Sequence, residues 1–146
     1  MAKARAVDRR LFLLTEIAAR RLNRAADLRL KSEAGISAAQ AAVLFLLLRR
    51  GERRMGAISE VLSLNPPAVT GLVDRMVKAG LVGKKTDPGD RRGAVVALTA
   101  KGRKAGLAAD TILKDMNAAL EEKLGEDAAD SLHDALTLIA TTDIET

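Results

Sequence analysis

The sequence predicts a mainly α-helical fold carrying one small antiparallel β-hairpin, with long helices at both ends of the chain. Three observations lead there. Apolar residues step by three and four through most of the chain, the spacing of helices with one apolar stripe. Glycines and capping residues fall where those runs stop. Two short extended segments, the second rich in Val, flank a charged Pro-Gly turn, Asp87-Pro88-Gly89-Asp90-Arg91-Arg92.

From Asp8 to about Leu30, residues Leu11, Leu14, Ala18, Leu22, Ala25 and Leu28 make the stripe of a long arginine-rich helix. Gly35 ends the loop that follows. Ser37 is an N-cap for a second helix, about 38–49, and Gln40 completes a capping box. Residues 41–48 are apolar nearly all round, so this helix belongs in the core. Gly51 and Gly56 bracket a basic connector, Glu52-Arg53-Arg54. A short helix then runs from Ala57 to about Leu62 and turns at Ser63-Leu64-Asn65. Asn65 reads as an N-cap with Pro66 at the first helical position, where its missing N–H costs nothing. The helix it opens reaches Ala79 and stops at Gly80, with Val69, Leu72, Val73, Met76 and Val77 facing inward. Leu81 to Lys85 and Ala94 to Leu98 are the hairpin strands. Thr99 caps a long helix with the seam Ala109, Leu113, Met116, Leu120 and Leu124. Gly125 breaks it, and a last helix spans about Glu126 to Ala140 with Leu132, Leu136 and Ile139 along one side.

A chain of 146 residues, 48% apolar and 29% charged, has one domain's length and a core that needs no disulfide or metal. Cysteine is absent, which excludes a disulfide scaffold, a thiolate–zinc site and regulation by thiol oxidation. His133 is the one histidine; without a second His or any Cys it reads as a surface or interface residue, and no metal or cofactor is expected. No segment approaches the roughly 18–20 apolar residues of a membrane span. The run Leu11-Phe12-Leu13-Leu14 stops at Thr15-Glu16, short of the roughly 7–15 residues of a signal-peptide core. The expectation is a cytoplasmic protein with no membrane partner.

Charge divides the chain. Residues 1–104 carry 22 Lys and Arg against 9 Asp and Glu, a net +13, whereas residues 105–146 carry 2 against 10, a net −8. A basic body with an acidic helical tail implies one face for phosphates and another turned away from them. A helix that can enter a major groove, beside a basic finger that can enter a minor groove, suits a grip on duplex DNA. The terminal helices cannot easily hide their stripes inside one small domain; a two-fold dimer would bury them and match palindromic half-sites. Residues 35–104 are therefore expected to bind DNA, with residues 1–34 and 105–146 forming a helical dimerisation region.

With the elements in place, the chain resembles the MarR family of bacterial winged helix-turn-helix regulators. Three pieces carry the resemblance: Ala68-Val69-Thr70-Gly71-Leu72-Val73-Asp74-Arg75-Met76-Val77-Lys78-Ala79-Gly80-Leu81-Val82, the tip Asp87-Pro88-Gly89-Asp90-Arg91-Arg92, and Val95-Val96-Ala97-Leu98-Thr99-Ala100-Lys101-Gly102. They follow the family's recognition helix, wing tip and L-T-x-x-G exit in order and spacing. Met76 stands where leucine is usual, Pro66-Pro67 replace small polar residues, and Gly71 leaves a bare spot where many relatives present a longer side chain. The resemblance implies a ligand site between the dimerisation helices and the winged domain, here helices 11–28, 38–48 and 107–120, taking an apolar or anionic small effector.

The proposed DNA contact draws on Asn65, Pro67, Ala68, Thr70 and Gly71 near the start of the recognition-type helix. Thr70 offers a hydroxyl, against the plain alternative of a back-bond to its own helix, and Pro67 or Ala68 could touch a thymine methyl. Arg75, further along the helix, suits phosphate or an acidic neighbour better than bases, and Lys78, Lys84 and Lys85 are assigned to phosphate. Arg91 and Arg92 are the sharpest candidates, one guanidinium entering a narrow minor groove and the other pairing with Asp90 or Asp74 to brace the wing. The reading is a homodimeric repressor on a palindromic operator, released by a small molecule. A winged-helix protein–protein interaction module is the alternative. An enzyme finds no support in a chain without a His–carboxylate constellation, a phosphate-cradling loop or paired acids at metal spacing.

Overall fold

The computed structural model describes residues 9–86, 89 and 93–144. In chain order these form α1 (Leu11–Ala34), α2 (Ala38–Arg50), β1 (Arg53–Arg54), α3 (Met55–Leu62), α4 (Pro66–Lys78), β2 (Val82–Thr86), β3 (Ala94–Leu98), α5 (Ala100–Leu124) and α6 (Glu126–Thr141). The chain divides into two compact units, Met1–Asp110 and Thr111–Thr146.

The first unit packs α2, α3 and α4 against a three-stranded antiparallel sheet of order β1-β3-β2. Val82 pairs with Leu98 and Thr86 with Ala94, so the hairpin is in full register, while Arg53 and Arg54 add a short edge to Val96 and Val95. The core gathers Leu30, Ile36, Val43, Leu44, Leu47, Ile58, Val69, Val73, Met76 and Val96, each almost wholly removed from solvent. Each such side chain contributes about 1.5–3 kcal/mol relative to exposure. As its all-round apolar sequence predicts, α2 runs through this core.

Local chemistry sets the helix ends. Ser37 Oγ accepts the Gln40 amide at 3.1 Å and Gln40 Oε1 accepts the Ser37 amide at 3.0 Å, the reciprocal box expected for α2. Asp27 of α1 adds a third bond, its carboxylate accepting the Ala38 amide at 2.6 Å. It thus satisfies a second orphan N–H and places a negative charge at the positive end of α2. The chain turns 75° between the two helices.

Several expectations change. Gly35, at φ 69°, ends α1 itself instead of closing a loop beyond it. The residues of α1 that pack into the unit are Ala26 and Leu30, which the stripe did not single out; the stripe itself is open, as expected of a helix that cannot hide it in one small domain, with Leu11, Leu14, Leu22 and Leu28 all half or more exposed. The connector 52–54 contains β1, and α3 begins at Met55 instead of Ala57. In α4, Val69, Leu72, Val73 and Met76 are buried but Val77 is exposed. Early in α5 the buried positions are Gly102, Gly106 and Ala109, so the seam starts two glycines sooner than its large residues suggest.

The second unit holds the later turns of α5 and the whole of α6. Gly125, at φ 83°, separates the helices. No residue of α6 is buried, and Leu132, Leu136, Leu138 and Ile139 stand open on it. No single helix among the described residues is long and apolar enough to cross a membrane.

Candidate nucleic-acid interface

Helices α3 and α4 meet through a turn that Ser59 holds at one end. The Ser59 hydroxyl donates to the Leu64 carbonyl at 2.5 Å, and the Leu64 amide donates back to the Ser59 carbonyl at 3.0 Å. Ser63 takes the left-handed conformation between them, φ 51°, which reverses the chain at the end of α3. Asn65 then starts α4, its side-chain oxygen accepting the Ala68 amide at 2.9 Å, with Pro66 and Pro67 following. Ile58 of α3 and Val69 of α4 are both buried, and the two helices pack against each other. This is a helix-turn-helix in which the second helix carries the open surface.

With Val69, Leu72, Val73 and Met76 inward, steps of 100° per residue put Pro67, Gly71 and Lys78 on the opposite crest, Asp74 beside it, and Thr70 and Arg75 on its two flanks. Asn65, Pro67, Ala68, Thr70, Asp74, Arg75 and Lys78 are all exposed, and Gly71 partly so. The Thr70 hydroxyl donates to the Pro66 carbonyl at 3.0 Å. Its proton is committed to its own helix, leaving only acceptor capacity for a base amino group. Arg75 folds back along the helix: its Nη1 lies 3.4 Å from where a Cβ on Gly71 would stand.

Lys84, expected on phosphate, is engaged with the protein. Its Nζ donates to Asp74 Oδ1 at 3.1 Å, tying the first half of β2 to α4. Both side chains are substantially exposed, 34% and 53%. The pair is worth about 0–1 kcal/mol, enough to bias the angle of the hairpin and too little to hold the fold. Lys85 and Lys78 are exposed. Asp90, Arg91 and Arg92, and with them the second brace expected at Asp90, lie outside the described residues. A cleft of about 340 Å³ opens between these elements, lined by Met55, Gly56, Ser59, Thr70, Lys84 and Ala94 among others. The start of α3, the first turns of α4 and the end of the hairpin next to its turn thus share one concave surface.

Reading the sequence missed the joint at the far end of α4. The Thr99 hydroxyl donates to the Gly80 carbonyl at 2.6 Å and accepts the Gly102 amide at 3.0 Å. Lys101 Nζ donates to the Ala79 carbonyl at 2.7 Å, a cation at the negative end of α4. A Cβ on Gly102 would stand 1.8 Å from the Leu81 oxygen, so the first turn of α5 lies directly on the chain leaving α4. Only Gly permits that approach. The available signal was Thr99-x-x-Gly102 following Gly80; the cap on α5 was legible there, the tie to α4 was not.

Among the described residues no group of three or more His, Cys, Asp or Glu could hold a metal ion. His133 sits exposed on α6, 3.4 Å from Asp134.

The sequence profile of the MarR family matches residues 34–93, the segment from the end of α1 through the hairpin tip. No curated protein sequence matches the chain. A MarR-family transcriptional regulator from Rhodococcus sp. RHA1 is similar in structure, with a TM-score of 0.81 and 22% identity over 97% of this chain and 100% of that one. The reduced form of MarR from E. coli has a TM-score of 0.74 and 26% identity, covering 88% of this chain and 95% of its own. The S. aureus MepR–DNA complex has a TM-score of 0.77 and 22% identity, covering 87% and 93%. These likenesses, each over 87% or more of this chain, show a shared fold. Residues 34–93 thus match the MarR family model, and the chain shares the fold of these winged-helix regulators.

Proposed function

We propose that the chain is a homodimeric repressor that grips a palindromic operator through two copies of α4 and the hairpin tip, and lets go on binding an apolar or anionic small molecule. One observation carries the DNA half: the exposed crest of α4 stands beside a hairpin fastened to it by Lys84 and Asp74, in the strongly basic part of the chain. The MepR fold was solved on DNA, and the likeness supports the same use here. Support for the dimer comes from α1 and α6. Leu11, Phe12 and Leu14 on the one, and Leu132, Leu136 and Ile139 on the other, are apolar side chains left open to water. Release by a small molecule is supported by the family alone.

Fluorescence anisotropy on a duplex enriched from a random pool tests the reading. Binding is expected to weaken steeply with salt, with a slope of about −0.9 per phosphate neutralised. The double variant Arg91→Ala, Arg92→Ala is expected to lose roughly tenfold or more in affinity, as removal of a groove-inserted arginine does. Binding indifferent to salt and to both substitutions would point to a protein-interaction module instead. Affinity unchanged across a panel of apolar and anionic small molecules rejects release and leaves DNA binding standing.

A further inference from the structure

We infer that Arg75 is the base-reading side chain of α4, taking a guanine in the major groove, and that the bare backbone at Gly71 is what lets it do so. The inference rests on the DNA-binding reading above and names the group that would give that binding its sequence preference.

Most other groups on the open face of α4 are committed or have nothing to offer. Pro67, Ala68 and Gly71 carry no hydrogen-bonding side chain. The Thr70 proton is held by Pro66, the Asn65 side-chain oxygen by the Ala68 amide, and Asp74 by Lys84. Lys78 closes the helix at its far end. Arg75 differs. It is exposed, and among the described residues its guanidinium has no hydrogen-bond or ion-pair partner.

Its direction matters as much as its freedom. Side chains on a helix lean toward the N-terminus, over the residue four positions earlier. Here that residue is Gly71, and Nη1 comes within 3.4 Å of the missing Cβ. The guanidinium is thereby carried about one turn, roughly 5 Å, toward the end of the helix that enters a groove. A longer side chain at 71 would occupy that path. Once there, the planar fork offers two parallel N–H groups matching guanine O6 and N7, a pairing that the point charge of lysine does not reproduce in the same rigid geometry.

The test uses the full chain and the duplex it enriches from a random pool, with every single-base-pair variant of that duplex and a scrambled control. Arg75→Ala and Arg75→Lys are each expected to lose about 5–150-fold on the enriched duplex. Both should erase the preference for one G·C pair in each half-site, while Arg75→Lys binds the scrambled control nearly as well as wild type. Replacing that guanine by 7-deazaguanine, which lacks the N7 acceptor, should weaken wild type and leave Arg75→Lys unmoved. Gly71→Leu, checked for helicity by circular dichroism, should reproduce the loss of preference. The inference is overturned if Arg75→Lys matches wild type on every duplex, or if both variants weaken all duplexes equally, which marks a phosphate anchor. A wild-type chain that enriches no duplex overturns the DNA-binding reading itself and this inference with it.

Discussion

Two glycines at the start of α5 show how much depends on a side chain that is not there. At Gly102 an added Cβ meets the Leu81 carbonyl oxygen at 1.8 Å, and backbone cannot step aside. At Gly106 it meets Leu48 Cδ1 at 2.6 Å, the far end of a flexible side chain, and Leu44 Cβ at 3.3 Å, which has to give by a few tenths of an ångström. Gly102→Ala should therefore cost about 2–4 kcal/mol, whereas Gly106→Ala should cost about 1 kcal/mol or less, because repacking of Leu48 and the better helix propensity of alanine offset each other. Urea unfolding of both variants checks the order; equal midpoints would refute it. Gly102 stands in the L-T-x-x-G exit of the sequence, but the close approach that requires a glycine there, and the contact at Gly106, are not legible in it. What a missing side chain touches is decided by elements brought together from elsewhere. The same holds for Thr70 and Arg75: their identities are read at once, yet a hydroxyl turned onto Pro66 and a guanidinium laid over Gly71 are facts of conformation.

Elements were the most legible level, because caps and stripes are local. Ser37 with Gln40, Asn65 with Pro66, and Gly80 mark helix ends from short-range chemistry alone, and each ends its helix within a residue or so of the expectation. Where the reading failed, the deciding partner is distant. The edge strand β1 is two arginines that become a strand only because Val95 and Val96 lie alongside. That Ala26 and Leu30 are the buried residues of α1 was not read, because only the last turns of that helix pack into the core; the open stripe was expected. Thr99 shows both cases in one residue. Its cap on α5 follows from sequence, whereas its bond to the Gly80 carbonyl does not. Thr99→Val keeps the shape and removes both bonds, leaving partly buried groups without partners. A loss of about 1–3 kcal/mol is expected, with faster hydrogen exchange at the Gly102 amide. An exchange rate equal to that of wild type would show that the joint does not depend on this hydroxyl.

For the molecule as a whole, charge and open apolar surface point the same way. The basic residues lie in the part that carries α4 and the hairpin, and the acidic ones in the part that ends in α6. A helix with no buried residue, such as α6, gains little from a single chain, which supports the dimer proposed above. Leu136→Glu is expected to convert a dimer into a monomer in light scattering and to lower operator affinity at least tenfold, since one half-site then binds without its twin. A wild-type protein that is already monomeric at micromolar concentration would sink this expectation. Fold class was legible because it needs only the order and type of elements. The chemistry of the open face of α4 was legible only by residue type, since direction depends on packing.

The bonds from Thr99 and Lys101 onto the last carbonyls of α4, with Gly102 pressed on Leu81, leave no slack between the reading head and the shaft that follows it. Key and handle are cut from one piece. A twist applied at the first turn of α5 has to swing the end of α4 with it, so under the repressor reading proposed above any response to a small molecule would be set by leverage instead of by loosening.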